Sequence, residues 1–371
     1  MGGNQTSVTE FLLVGFPLSP GMRVLLFGLF SVFYAFTLLG NRVILGLISL
    51  DPRLHTPMYF FLSHLATVDI AYACNTVPQM LVNLLSPAQP ISFAGCLTQT
   101  FLFIVFASTE CLLLMVMSYD RYVAICLPLR YSTIMNWRVC FILAVTSWTI
   151  GVLLTLVHLV LLLPLPFCGH QNVNHFFCEL LAVLKLACAD THLNEVVVVA
   201  LSALGLVGPV CTIMVSYGHI LCVILKIQSA EGRWKAFSTC SSHLCVMGLF
   251  YGTAIIMYVG PQHGDPQERN KYLLLFHSLF NPMLNPLIYS LRNRDVNAAL
   301  RRRLKRRHCH ESLTDKKIIE CKESQCVTLP DMCTGMQRHA LRLRRSLHVL
   351  LSLSPEKAHF GRCLQGCCTR K

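Results

Sequence analysis

Charge is scarce in this chain. Asp, Glu, Lys and Arg make up only 13% of its 371 residues while 54% are apolar, against roughly 25% charged residues in a soluble globular domain. One soluble core cannot hide that much apolar surface, which excludes a soluble globular protein and leaves a membrane protein. Enzyme signatures are also missing. The sequence has no Gly-rich phosphate loop, no His-Glu-x-x-His pair and no Gly-x-Ser-x-Gly elbow, so it offers none of the chemistries those motifs serve and is not read as an enzyme. Neighbours such as Cys240 with Cys245, or His308-Cys309-His310, lack the spacing that completes a zinc site. No basic start, short apolar segment and small-residue cleavage site mark residues 1–21, so the first apolar span is expected to serve as its own insertion signal. The two halves show no repeat and no pair of interrupted spans, which tells against a transporter or channel that would use buried acids as an ion path.

What the chain does have is seven long apolar stretches, over 23–50, 58–85, 93–126, 139–163, 195–227, 236–260 and 272–291. Each can cross ~30 Å of hydrocarbon as a helix. The third and fifth exceed the ~20 residues a span needs, so they tilt or continue past the bilayer. Lysine and arginine near the span ends set the orientation. Arg53, then Arg130 and Arg138, then Lys226, Arg233 and Lys235, then the tail after Leu291 form one set. Arg23, Lys185, Arg269 and Lys271, offset by Glu179, Asp190, Asp265 and Glu268, form the other. The first set is cytoplasmic, and an odd number of spans leaves the N-terminus outside, where Asn4-Gln5-Thr6 is a glycosylation acceptor. The expected organisation is an all-α membrane protein: an extracellular N-terminus over 1–22, a seven-helix transmembrane bundle over 23–291, a short amphipathic eighth helix over 292–305 and an extended cytoplasmic tail over 306–371.

Residues 292–371 hold 19 basic and 7 acidic side chains, so the tail carries +12 of the formal charge of +13. A nucleic-acid partner is therefore not expected. The cluster Arg301-Arg302-Arg303-Leu304-Lys305-Arg306-Arg307 suits anionic headgroups of membrane lipids, with a solvated positive-inside segment as the alternative. The remainder of the tail has the mixed polar composition of a disordered segment, with a short helix over 341–353 and a palmitoylation candidate at Cys309. Arg42, inside the first span, must snorkel or find a partner, and together with the long tail it raises a reading in which the chain traffics poorly.

The run Met117-Ser118-Tyr119-Asp120-Arg121-Tyr122-Val123-Ala124-Ile125-Cys126 closes the third span. With it stand Gly40-Asn41, Leu54-His55-Thr56-Pro57-Met58-Tyr59-Phe60-Phe61-Leu62, His175-Phe176-Phe177-Cys178-Glu179 and Ser216-Tyr217. Further on come Lys235-Ala236-Phe237-Ser238-Thr239-Cys240-Ser241-Ser242-His243-Leu244, Phe250-Tyr251-Gly252-Thr253 and Pro282-Met283-Leu284-Asn285-Pro286-Leu287-Ile288-Tyr289. In this order, over about residues 1–305, they resemble the odorant receptors, a branch of the rhodopsin-like seven-helix receptors, and most of all their tetrapod-type class. The resemblance implies a G-protein-coupled receptor that binds a small-molecule odorant and activates a heterotrimeric G protein of the stimulatory, cyclic-AMP-raising class. It implies disulfides Cys96–Cys178 and Cys168–Cys188; spacing alone leaves all three pairings of these outward-facing cysteines open.

Two carboxylates lie within apolar spans. At ~1.5 Å per residue Asp69 is ~18 Å above Pro57, and Glu110 is ~16 Å above Arg121, so they share a depth. By the same count Asn41 and Asn285 fall at a similar level. An intramembrane charge must be neutralised, hydrated or paired. A structural sodium ion held by Asp69 and Glu110 would do this; a protonated carboxyl pair in a watery polar network is the alternative. No other cofactor is expected.

Asp120 and Arg121 allow an ion pair that opens toward a partner at the inner boundary. The resemblance adds Tyr122, Tyr217, His243, Asn285, Pro286 and Tyr289 to this G-protein switch. Pro286 removes a backbone donor, so the seventh span is able to bend there. Many rhodopsin-like receptors carry an acidic clamp near the place where Arg233 stands, so that second clamp is not expected. Counting along the helices, aligned by the resemblance, points Phe103, Ile104, Ala107 and Ser108 of the third span into a ligand cavity. Leu201, Ser202 and Gly205 of the fifth span join them, with Tyr251, Ala254, Ile255 and Tyr258 of the sixth and Ser278 of the seventh. That lining suits a largely hydrophobic volatile molecule held by shape and one hydrogen bond. Phe103 stands where amine receptors carry an aspartate, which argues against a protonated amine.

Overall fold

The computed structural model describes residues 9–86, 90–167, 171–259, 266–292 and 295–304. Asn4, Cys168 and the tail over 306–371 lie outside them. Among the described residues seven long helices form the bundle: α1 (Pro20–Leu50), α2 (Pro57–Leu85), α3 (Phe93–Cys126), α4 (Trp137–Leu162), α5 (His192–Lys226), α6 (Ala230–Val259) and α7. The last is built of Pro266–Leu275, a π turn Phe276–Phe280 and Asn281–Arg292. An eighth helix, α8, covers 295–304.

Start signals rather than apolarity fix the helix ends. Proline opens α1 and α2 in the first turn, where its missing N–H costs nothing. The Ser92 hydroxyl accepts the Gly95 N–H at the start of α3, and the Asn136 carbonyl oxygen accepts the Val139 N–H at the start of α4. For this reason α4 begins two residues before its apolar stretch, and α5, α6 and α7 also begin earlier than hydropathy alone suggests. Along the outer walls apolar side chains face outward, among them Val24, Val32 and Leu39 of α1, Val145 and Val160 of α4, and Leu204, Met214 and Leu225 of α5. Helices α1, α3, α4 and α5 are each long and apolar enough to cross a membrane. Arg42 is exposed on the outer wall of α1, so its guanidinium has to reach the headgroup layer.

The helical bundle carries one small addition. A three-stranded sheet caps the outer end, with β1 (Glu10–Leu13) antiparallel to β2 (Pro90–Ser92) and parallel to β3 (Asn172–Val173). Its cause is the alternation in Glu10-Phe11-Leu12-Leu13: Phe11 and Leu13 are buried while the strand's backbone pairs with two outer loops. Cys96 and Cys178 form a disulfide that ties the outer end of α3 to the second outer loop. Cys188 is disulfide-bonded as well.

At the inner end Asp51 accepts hydrogen bonds from Arg302 Nε and Nη2 at 3.1 and 2.7 Å, and Tyr59 donates to Asp295 at 3.1 Å. The Arg302 bonds, followed by the Arg53 backbone N–H, hold the Asp51 carboxyl below the usual carboxylate range. Val296 and Ala299 are buried in the core that α1, α2 and α3 share, so one face of α8 is apolar as an amphipathic helix requires.

Glycine sets the closest helix approaches. A Cβ on Gly151 of α4 would stand 2.7 Å from the Thr109 hydroxyl and 3.0 Å from the Val105 carbonyl of α3, whereas one on Gly46 of α1 would meet nothing within 4 Å. Gly151→Val is therefore expected to lower the melting temperature of the purified protein, by about 1–3 kcal/mol of strain, and Gly46→Ala to leave it unchanged or raise it slightly. Equal melting temperatures for the two variants would show that the α3–α4 contact yields.

Candidate functional site

The core of the site begins with a backbone defect. Pro286 has no N–H to offer the Pro282 carbonyl one turn back, and Asn41 Nδ2 donates to that carbonyl at 3.0 Å. The same amide donates to Thr37 O at 3.1 Å within α1. Gly40 lets the two helices come this close, because a Cβ there would press on Pro286 at 3.0 Å. Asn41, expected at the level of the carboxylates, thus gives its amide to α7 and to its own helix.

Asn285, one residue before the proline, turns its amide to α2. Its Nδ2 lies 3.1 Å from both Asp69 oxygens, and Asp69 is fully buried. Glu110 of α3 lies beside this pair, close enough to act on Asp69 electrostatically. Glu110 Oε1 and Asn281 Oδ1 are buried acceptor oxygens with no hydrogen-bond partner in the protein. Among the described residues no group of three or more His, Cys, Asp or Glu side chains could hold a metal ion, so a cation here would complete its shell from amide and hydroxyl oxygens.

At the inner end the Asp120 carboxylate accepts the Tyr131 hydroxyl at 2.8 Å. No Asp120–Arg121 ion pair forms among the described residues, and neighbours one apart on a helix do not face each other. Burial and then the Asp120 charge push the Tyr131 phenol up, which keeps it a donor. Tyr217 of α5 and His243 of α6 meet at 2.7 Å through Oη and Nδ1, and the Arg121 charge reaches both. Tyr122 packs at 5.8 Å on His219 of α5. Arg233 donates to the Ile227 carbonyl at 3.1 Å, closing the α5–α6 turn. Tyr289 has its side chain outside the described residues.

Above the acids lies a cavity of about 310 Å³ bounded by α3 to α7 and the second outer loop. Phe103, Ile104, Ala107, Ser108, Leu201, Ser202, Gly205 and Ala254 line it as the sequence predicts. Three expected residues do not. Ile255, one step beyond Ala254, is 39% exposed on the outer wall of α6. Tyr251 turns into the α3 contact and donates to the Cys111 carbonyl at 2.7 Å. Ser278 is buried with its hydroxyl on Leu274 O, and His277 lines the cavity in its place. The π turn Phe276–Phe280 is the reason, since its extra residue rotates the register of α7. The Tyr258 side chain lies outside the described residues. Sequence counting missed His158, Glu179 and His277 in the wall; only the π turn left no signal, while His158 was visible as a polar residue near the outer end of its span and Glu179 as part of the loop segment His175–Glu179.

The second outer loop folds over this cavity. Glu179 Oε2 accepts the Ala182 N–H at 2.7 Å, capping the short helix Leu180–Leu184, and burial raises the Glu179 carboxyl. His175 is packed on Phe176 and Phe177 with ring centroids 4.5 and 4.6 Å apart, and its Nδ1 accepts the Phe177 N–H at 3.4 Å. Burial, then the charge of Lys271, pushes the His175 imidazole down to about 3. Lys271 is itself buried, 2.9 Å from Glu268 and 2.8 Å from Asn174 Oδ1.

The profile of the olfactory receptor family matches residues 30–307. Olfactory receptor 2A7 of Mus musculus is 76% identical over 305 residues, which cover 82% of this chain and 98% of that protein. Olfactory receptor 2A25 of Homo sapiens is 74% identical over 307 residues, 83% of this chain and 99% of that protein. Squid rhodopsin superposes with a TM-score of 0.62 at 17% identity, over 76% of this chain and 80% of that one, a likeness of fold alone.

The loop over the cavity carries a pH dependence with a definite sign. The folded imidazole of His175 binds a proton less readily than the unfolded one at 6.5, so its contribution is complete above pH 6.5 and is lost as pH falls toward about 3. The melting temperature of the purified protein is expected to drop between pH 6.5 and 4 more steeply than that of His175→Phe. Parallel curves would mean that His175 is protonated without cost.

Proposed function

The chain belongs to the olfactory receptor family, and it is an odorant receptor of the plasma membrane with the rhodopsin-like fold; from that premise we propose that its G protein is of the stimulatory class. Odorant ligands and coupling to a heterotrimeric G protein come with the family. The observation that carries the mechanistic reading is the vertical order of the site: a cavity between α3 and α7, buried acids beneath it, and Arg121 beneath those. An odorant in the cavity touches α5, α6 and α7 at once, through Ser202, Ala254 and His277. A ligand that binds one arrangement of these helices better than another shifts their population. The Tyr217–His243 bond is the link between α5 and α6 that this shift opens, and Arg121 then faces the G protein with Asp120 retained by Tyr131.

We assign a sodium ion to Asp69 and Glu110. Two buried carboxylates within electrostatic reach of each other need a counter-charge, and the partnerless oxygens Glu110 Oε1 and Asn281 Oδ1 are hard donors of the kind such an ion takes. The ion supplies charge neutralisation between α2, α3 and α7 and therefore favours the resting packing. The alternative is a shared proton. A further proposed partner is the anionic lipid surface, met by the basic residues Arg301 and Arg303 of α8.

In a cyclic-AMP reporter cell, the wild-type receptor is expected to respond to members of an odorant panel, and Arg121→Ala to lose the response by at least about tenfold at equal surface expression. Ion current without an Arg121-dependent cyclic-AMP signal would overturn the reading in favour of a channel. For the ion, the melting temperature in sodium chloride is expected to exceed that in choline chloride at equal ionic strength, with the difference abolished in Asp69→Asn. A difference that survives Asp69→Asn and Glu110→Gln places no sodium there.

A further inference from the structure

We infer that the cavity selects small alcohols and phenols, and that His158 accepts a hydrogen bond from the ligand's hydroxyl. The inference deepens the odorant-receptor reading and rests on it. His158 lies on α4, is buried, and lines the cavity. Its Nδ1 stands 2.7 Å from the Leu154 carbonyl one turn earlier. A carbonyl oxygen only accepts, so Nδ1 carries a proton, and Nε2 is the ring nitrogen left to meet a ligand, an acceptor in that tautomer. Among the described residues Nε2 has no hydrogen-bond partner, since the Leu154 bond is the one His158 makes.

Two hydroxyls in the same wall are also free. Thr37, Thr76, Ser147, Thr155 and Ser278 each donate to a carbonyl of their own helix, as hydroxyls buried in helices ordinarily do. Ser108 of α3 and Ser202 of α5 line the cavity and make no such bond among the described residues. Beside Glu179 and His277, the wall therefore presents an acceptor on α4 and two hydroxyls, on α3 and α5, that donate as readily as they accept.

A ligand hydroxyl answers both needs, donating a hydrogen bond to His158 Nε2 and accepting one from a serine. An aldehyde, ketone or ester takes a proton but has none to give, so it leaves the imidazole nitrogen unmatched, a mismatch that costs polar sites much of their affinity. A carboxylate meets Glu179 in the same wall and is repelled. An ammonium is attracted to Glu179, but must compete there with the Ala182 N–H that the carboxylate already binds.

The test uses octanol, octanal, octanoate, octylamine, para-cresol and the methyl ether of para-cresol as probes in the cyclic-AMP reporter cell. Wild type, His158→Phe and His158→Gln are compared at matched surface expression. Octanol or para-cresol is expected to act at the lowest concentration. His158→Phe should raise the half-maximal concentration of the alcohol or phenol by at least roughly tenfold with less effect on the methyl ether, and His158→Gln, which restores an acceptor, should recover most of the loss. The inference is overturned if the aldehyde, acid or amine outperforms the alcohol, or if His158→Phe shifts the cresol and its ether equally. Silence of the whole panel overturns it too. In that event a basal cyclic-AMP signal that Arg121→Ala abolishes leaves the receptor reading standing, so the two failures remain distinct.

Discussion

Pro286 removes one backbone donor from the middle of α7, and the arrangement of the whole site follows from how that gap is closed. The orphaned Pro282 carbonyl is taken by Asn41 of α1, at a point where Gly40 allows the two backbones to approach. With no water in the hydrocarbon to serve as a substitute donor, this bond fixes α1 against α7. Fixing α7 in turn orients Asn285, whose amide reaches Asp69 of α2. One missing N–H thus organises three helices.

The same stretch of α7 connects the acids to the ligand. Four residues before Asn285, Asn281 contacts His277 at 3.2 Å, and His277 lines the cavity. Thr253 of α6 also reaches His277, at 3.3 Å. A ligand that moves the His277 ring therefore acts on α6 and on the floor of the cavity together. Thr253 and His243 lie on the same helix, α6, and His243 meets Tyr217 of α5 within reach of the Arg121 charge.

Much of this was legible in the sequence, for reasons that differ from residue to residue. Span positions follow from apolar runs, because lipid contact tolerates few polar side chains; span ends do not, because Ser92, Asn136 and the first-turn prolines set them. The depth of Asp69 and Glu110 follows from a fixed helical rise, and the two do lie close enough to influence each other. The partner of Asn41 was not legible, since nothing in sequence spacing reveals that a carbonyl across the bundle has lost its donor. Nor was the Tyr131 bond to Asp120, which depends on a loop fold. In α7 the register up to the cavity was misread by the single residue that the π turn inserts, which exchanges Ser278 for His277. The outer sheet was missed because four alternating residues beside seven long apolar spans carry little periodic signal.

Where polar groups lack partners distinguishes scaffold from machinery in this bundle. Thr37, Thr155 and the Asn41 amide are satisfied within or between helices, and they serve packing. The buried atoms without protein partners include Glu110 Oε1, Asn281 Oδ1, Ser118 Oγ, Arg121 Nε and His243 Nε2. Each such group costs about 1–3 kcal/mol when nothing pairs with it, and several of them, Asp120 Oδ2 included, lie between cavity floor and inner surface, where a rigid scaffold would have no reason to retain them. A receptor does have one, because groups left unsatisfied in one packing of the helices are what a cation, a proton or a second packing stabilises. The cost borne in one state is the driving force available to the other.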